Sequence, residues 1–332
     1  MYWRSKYLLT GALATLNFII SSAGASSSEG YPIGISLGTD YITSAYITEN
    51  DDFVTTASVK TTQDWKDFSC SLLRINRDAN ENREYTKFEV DTLLTTVLSS
   101  IQQATETKLN RKVEILGITY PAYIADYGYL RNLLDIAMEI LPGMNDGTQV
   151  WPYLHSIRQA YGLNNAEALG YPAGTDIDEE ENLLLHFDYQ NSLFEASITA
   201  ITKRTTTIER QFRIVDFGGP KQVASPKKLE YLSLRTKALI DEELSMPSSP
   251  PVQLTDFKRI MFSGDASASE FKKVREAITK AVPEFSDRFL DDIKPGWVGA
   301  VGAARRAREH RLNPPIIDIA EQIYDSEGWH DE

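Results

Sequence analysis

Hydrophobic and polar residues alternate in two segments that share one pattern. The first, "IGISLGTDYITSAYIT" at 33–48, predicts a strand over 33–37, a tight turn with one glycine, and a strand over 41–47. The second, "LLHFDYQNSLFEASIT" at 184–199, follows about 150 residues later and predicts another strand, turn and strand. Because the same local pattern occurs twice, we expect two related lobes.

Each of the two predicted hairpins is followed by further strands and helices. Runs of apolar and β-branched residues predict strands over 53–59, 113–120, 209–217 and 257–264. Apolar residues at three- and four-residue spacing predict helices over 88–109, 125–140, 226–244, 268–282 and 296–310. Polar composition predicts an exposed loop over about 73–85 and a linker over 171–181. This order of elements predicts an α/β fold.

Composition narrows the classes of partner. The chain has 332 residues, of which 42% are hydrophobic and 24% charged, so a sizeable core is expected. A formal net charge of −13 disfavours nucleic acid as a partner, because its phosphates would be repelled. The four histidines show no metal-ligand spacing, and no glycine-rich phosphate loop or nucleophile elbow occurs. We therefore assign no metal site.

The N-terminus has the pattern of a secretory signal peptide. A basic "MYWRSK" precedes an apolar "YLLTGALATLNFII", and Ala23 and Ala25 provide a small-residue cleavage pattern. This predicts a signal peptide over 1–25 and a mature chain in the secretory pathway, secreted or in an endomembrane lumen. An uncleaved anchor is the alternative, although about 14 apolar residues span a bilayer poorly. We expect no stable membrane span after cleavage, and Cys70, the only cysteine, excludes an intramolecular disulfide.

Five segments, in order over about 31–310, resemble the ATPase domain of the 70-kilodalton heat-shock chaperones, within the actin-like superfamily. "IGISLGTDY" is similar to that family's first phosphate motif, and "FDYQNSLFEA" occupies the place of its second. The other three segments are "VEILGITYPAYIADYGYLRNLLDIA", "IMFSGDASASEFKKVREAI" and "KPGWVGAVGAARRA". The resemblance implies a two-lobed actin-like ATPase fold with mixed sheets flanked by helices and reduced outer subdomains. It implies lobe I over 31–180, lobe II with the closing helix over 181–312, and an acidic tail over 313–332.

The resemblance also implies a vestigial ATP cleft. Its cofactor-binding positions fall on Gly38, Thr39, Tyr41, Asp188 and Gly264, and the candidate catalytic carboxylates are Asp188 and Glu195. Each has a simpler reading as an ordinary turn, strand or surface residue. No match is found for the family's catalytic lysine. Other family positions are changed: those now occupied by Ser36, Asp40, Gln190, Asn191, Ser192, Leu193, Ser263, Ser267 and Gly296.

These changes oppose ATP binding. Glycine turns let backbone N–H groups approach phosphates, whereas the side chains of 190–192 would occupy that space. Ser36 removes a carboxylate that would orient magnesium, and Asp40 is expected to place a negative charge near the phosphates. One such like-charge pair costs on the order of 4 kcal/mol at 4 Å and an effective dielectric of 20.

The sequence therefore favours a pseudo-ATPase that acts as a binding or scaffold module for an unknown protein partner. ATP with Mg²⁺ stays open as a cofactor but is not assigned. The chain leaves no room for the family's peptide-binding domain, so independent chaperone activity is not expected. Two alternatives stay open: a weak ATP-binding or ATP-hydrolysing chaperone-type protein with a rearranged site, and a small-molecule kinase.

Overall fold

Two five-stranded mixed sheets carry the fold. The computed structural model describes residues 30–74, 85–126, 128–190, 193–215, 217, 225–248 and 250–314. The first sheet has the order β3-β2-β1-β4-β5 and consists of β1 (Ile33–Leu37), β2 (Tyr41–Ile47), β3 (Phe53–Lys60), β4 (Ile115–Tyr120) and β5 (Val150–Pro152). The second has the order β10-β9-β6-β7-β8 and consists of β6 (Leu183–Tyr189), β7 (Leu193–Ile201), β8 (Thr206–Val215), β9 (Phe257–Ser263) and β10 (Phe289–Leu290).

The two sheets repeat one topology. In each, the first three strands form an antiparallel meander, and the fourth and fifth strands continue parallel to the first. Both parallel pairings also shift register at the same place, after Ile33 in β1 and after Leu183 in β6. The predicted α/β fold with mixed sheets is confirmed, and both predicted hairpins are present.

Helices cover the sheets. They are α1 (Gln63–Arg74), α2 (Lys87–Leu109), α3 (Ala122–Asp126), α4 (Leu130–Ile140), α5 (Tyr153–Ala160), α6 (Ala166–Leu169), α7 (Pro226–Leu244), α8 (Ala268–Ala281) and α9 (Val298–Leu312). One hydrophobic cluster joins α1, α2 and α4 to the first sheet. Another joins α7 and α8 to the second sheet. Each sheet therefore buries one face against its own helices.

Local sequence signals explain where several helices begin and end. Thr86 and Glu89 form a reciprocal capping box at the start of α2, and Asn110 ends that helix in the left-handed conformation. The helix predicted over 125–140 was wrong in one respect: it is divided into α3 and α4, and Gly128 between them has a φ of 75°. Helix α1 was not predicted, and most of the predicted loop over 73–85 lies outside the described residues.

Helices α5 and α9 lie between the two sheets. Helix α9 packs on β1, β2 and β4, and α5 packs against α9 and β8. The backbones of α9 and α5 approach closely at Gly302. A Cβ on this residue would lie 1.9 Å from the carbonyl oxygen of Ser156. Likewise, a Cβ on Gly34 of β1 would lie 2.0 Å from the backbone nitrogen of Ala304. The described residues from Tyr31 onward thus form one compact unit.

Candidate functional site

A cavity of about 400 Å³ lies between the turns of the two hairpins. This volume is within the range of small-molecule sites. Residues from both sheets and from α5 line it. Among the positions predicted for the cleft, the wall includes Gly38, Tyr41, Asp188, Glu195 and Gly264.

The turn of the first hairpin is fixed from behind by residues after β3. The indole Nε1 of Trp65 donates to the carbonyl oxygen of Gly38 at 2.9 Å, and Thr61 Oγ1 donates to the carbonyl oxygen of Thr39 at 2.7 Å. The Thr39 hydroxyl lies 3.3 Å from the hydroxyl of Tyr123. Thr39 is buried behind the wall of the cavity rather than in it. These bonds hold the turn in one conformation.

The carboxylate of Asp40 is bound by Lys66 of α1 in an ion pair. The side chains of Lys66 and Asp40 are only 19% and 11% exposed, and neither residue lines the cavity. Asp40, expected to place a negative charge near the phosphates, is thus compensated by Lys66 and lies outside the cavity wall. The buried residues Trp65, Phe68 and Leu72 follow helical spacing in the sequence, which is a local signal for α1.

The turn of the second hairpin reaches across the cleft through Gln190. Its amide Nε2 donates to Asp188 Oδ2 at 2.7 Å, and its amide Oε1 accepts from the backbone N–H of Thr39 at 3.4 Å. Its own backbone N–H donates to the carbonyl oxygen of Leu193 at 2.9 Å, which closes the turn. The side chain of Gln190 therefore joins the two hairpins. Asn191 and Ser192 lie outside the described residues.

Behind this bridge, Asp188 belongs to a buried hydrogen-bonded chain. Ser263 Oγ donates to Asp188 Oδ1 at 2.7 Å and lies 2.7 Å from Nε2 of His186. Burial lowers the pKa of His186 to about 3, so the ring is neutral at pH 7. Because the Ser263 proton goes to the carboxylate, Nε2 of His186 carries the proton donated to Ser263. Its Nδ1 then has a free lone pair and no hydrogen-bond partner among the described residues.

The pKa of Asp188 is raised to about 6. The main cause is burial, and the charge of Glu195 acts in the same direction. The hydrogen bonds from Ser263 and Gln190 act in the opposite direction. At pH 7 the carboxyl group is therefore mostly ionised in a poorly solvated position.

Serine, histidine and aspartate are thus in contact, but they do not form a hydrolytic triad. A triad requires the histidine to lie between the serine and the carboxylate, with its second ring nitrogen bound to the carboxylate. Here Ser263 lies between the other two and is fully buried. The arrangement therefore positions Asp188 rather than activating a nucleophile.

The wall of the cavity carries excess negative charge. Among the described residues that line it, three carboxylates, those of Asp188, Glu195 and Asp265, accompany one guanidinium, that of Arg213. Arg213 forms an ion pair with Glu195. The lining histidines, His155 and His186, have pKa values lowered by burial to about 4 and about 3, so they add no charge at pH 7. By formal charge, the described lining residues therefore carry two more negative than positive groups.

Three further positions of the sequence resemblance make local contacts of their own. Gly264 has a φ of 108°, and a Cβ there would lie 2.2 Å from the carbonyl oxygen of Tyr189. Ser267 caps α8 by accepting from the backbone N–H of Glu270, so this helix N-terminus already has a partner. The carbonyl oxygen of Gly296 accepts from Thr43 Oγ1 at 3.4 Å.

The residues present do not fit Mg-ATP. In the part of the chain that the structure describes, no group of three or more His, Cys, Asp or Glu side chains could hold a metal ion. The turn N–H of Thr39 is bonded by Gln190, and the cavity carries surplus negative charge. Among the described lining residues, the guanidinium that a triphosphate would meet is that of Arg213, which is already paired with Glu195.

Comparison of the chain with protein-family models found no match, and comparison with curated proteins found none either. Within the described ranges, the helices are too short or too polar to cross a bilayer. The predicted signal peptide over 1–25 and nearly all of the acidic tail lie outside those ranges.

Proposed function

We propose that this chain has a two-lobed actin-like ATPase fold, similar to that of the 70-kilodalton heat-shock chaperones, and acts as a binding or scaffold module without hydrolysing ATP. The repeated strand order supports the two-lobed fold, because two copies of one topology place two equivalent hairpins beside a shared cleft. Between β3 and β4, and again between β8 and β9, the described residues form helices that pack on the sheets. This supports reduced outer subdomains.

The bridge made by Gln190 carries the functional part of the proposal. In the resemblance, this position is the first of three glycines whose backbone approaches the phosphates. Here a side chain takes the backbone N–H of Thr39 and holds the carboxylate of Asp188. A phosphate oxygen would have to displace this amide. It would then lie close to the carboxylate of Asp188, which would repel it.

Charge adds to the obstruction. Phosphoryl transfer depends on positioning and on cations that stabilise developing negative charge. The surplus of two negative charges in the cavity wall acts in the opposite sense. Each like-charge contact at about 4 Å costs on the order of 4 kcal/mol at an effective dielectric of 20. ATP is therefore neither held nor hydrolysed.

The secretory pathway and a protein partner complete the proposal. The pattern of residues 1–25 supports entry into that pathway, and the net charge of −13 disfavours nucleic acid. Affinity capture with the mature chain from secretory fractions, followed by reconstitution from purified components, would identify the partner.

Titration of the mature chain with Mg-ATP and Mg-ADP tests the functional proposal. We expect no heat of binding and no thermal stabilisation up to millimolar nucleotide, because a ligand selective for the native state must stabilise it. Magnesium-dependent stabilisation at sub-millimolar nucleotide would instead support the weak ATP-binding alternative. Phosphate release that persists in Asp188→Ala and Glu195→Ala variants would indicate a contaminating ATPase.

A further inference from the structure

We propose that the cleft binds a small organic monocation, namely an amine with an apolar or aromatic body. This inference rests on the proposed function, because it requires that the cleft is not a triphosphate site. Three properties of the wall support it: the sign of its charge, the type of hydrogen-bonding atoms that it presents, and the apolar character of its remaining surface.

The first property is a carboxylate, that of Asp188, whose partners among the described residues are neutral. Asp188 is 8% exposed, and its hydrogen-bond partners in the described part of the chain are the neutral side chains of Ser263 and Gln190. Burial without a countercharge raises the pKa of a carboxyl group, and that of Asp188 is about 6. An ammonium group in the cavity would supply the missing countercharge.

The second property is an excess of hydrogen-bond acceptors. The carboxylates of Asp188, Glu195 and Asp265 line the cavity and, when ionised, accept hydrogen bonds only. An ammonium group offers three N–H donors and no acceptor. A carboxylate or phosphate offers acceptors alone. The wall is therefore complementary to a protonated amine and not to an anion.

The third property is the apolar remainder of the cavity. Several apolar and aromatic side chains line it: Leu37, Pro121, Tyr123, Pro152, Tyr153 and Leu193. Aromatic faces attract cations in addition to packing against apolar groups. A cavity of about 400 Å³ accommodates a ligand of one ring and a short chain. A bare metal ion would leave this surface unfilled.

Three probes that share a phenyl group on a short chain, and that are positive, neutral and negative, test the proposal. We would titrate the mature chain at pH 7.5 and low salt with 2-phenylethylamine, 2-phenylethanol and 3-phenylpropanoate, monitored by ligand-observed NMR and calorimetry. The amine is expected to bind saturably and at least about tenfold more tightly than the alcohol, whereas the carboxylate should not bind. Equal binding of amine and alcohol, or preference for the carboxylate, would overturn the proposal.

The Asp188→Asn variant locates the site. It should weaken amine binding about tenfold, whereas Asp287→Asn, at an exposed carboxylate outside the cavity, should leave binding unchanged. Lowering the pH from 7.5 to 5 should weaken binding to the unmodified chain but not to Asp188→Asn. The charged and titratable groups that act on Asp188 and Ser263 here are Glu195 of β7, His186 of β6, Tyr153 of α5 and Tyr123 of α3.

A second variant, Glu195→Gln, tests the site even if Asp188→Asn fails to fold. Glu195→Gln reduces the surplus negative charge without touching the chain of Asp188, Ser263 and His186, so amine affinity should fall about threefold. Amine binding unaffected by Asp188→Asn and by Glu195→Gln would refute the assigned site. If neither Mg-ATP nor any amine binds, this inference fails while the proposed function stands. Binding of Mg-ATP would contradict the proposed function itself.

Discussion

The side-chain amide oxygen of Gln190 accepts a hydrogen bond from the backbone N–H of Thr39, 3.4 Å away and separated by 151 positions in the chain. The contact joins the turns of two hairpins that belong to different sheets. A side chain thus takes one of the backbone donors that a nucleotide phosphate would need.

The bridge should contribute to stability. In a Gln190→Ala variant, the buried N–H of Thr39 and the carboxylate of Asp188 each lose a partner. We expect the free energy of unfolding to fall by about 2 kcal/mol, because unsatisfied buried groups keep their desolvation cost. Urea denaturation measures this change. The exposed Gln211→Ala is the matched control and should cost less than about 0.5 kcal/mol.

The ion pair between Lys66 and Asp40 should be strongly coupled. A Lys66→Met variant leaves a largely buried carboxylate without its cation, and we expect it to lose about 2 kcal/mol of stability. Adding Asp40→Asn should recover most of that loss. A double-mutant cycle by urea denaturation gives the coupling energy. For the exposed pair Lys203 and Asp176, solvent screens the charges, so coupling should be clearly weaker, and equal coupling in both pairs would contradict the prediction.

Asp188 should make stability depend on pH. Its pKa is raised to about 6 in the folded state, so between pH 4 and pH 6 the folded chain binds more protons than the unfolded chain. This contribution favours folding below the unfolded pKa and is lost as pH rises through 6. Relative to the unmodified chain, Asp188→Asn should therefore gain about 2 kcal/mol between pH 4 and pH 7. Urea denaturation across this range tests it, and a constant difference would contradict it.

Gly264 should tolerate no side chain. A Cβ there would lie 2.2 Å from the carbonyl oxygen of Tyr189, and the φ of 108° is itself unfavourable for other residues. We expect Gly264→Ala to lose about 3 kcal/mol, from overpacking added to backbone strain. Gly174 has a φ of 86° but no atom within 4 Å of such a Cβ, so Gly174→Ala should cost about 1 kcal/mol. Thermal denaturation of both variants separates the cost of overpacking, expected only for Gly264→Ala, from the cost of backbone strain, expected for both.

Much of the fold could be predicted from local pattern. The hairpin strands over 33–37 and 41–47 occur as predicted, and the capped helix over 88–109 differs by one residue at its start. The helix over 125–140 was predicted as one piece because apolar spacing continues across Gly128. Periodicity reports which face of a segment is buried, and it does not report a backbone reversal at a single residue.

The sequence by itself determined the two hairpins, the α/β class and the residues that could face a cleft, because alternation and turn chemistry act over a few neighbouring positions. Only the tertiary structure decided what those residues contact. Lys66 compensates Asp40 from an unpredicted helix, and Gln190 reaches Thr39 in another sheet. Such partners depend on how distant strands are placed in space, and the free energy of a buried charge depends on the partners that it finds there.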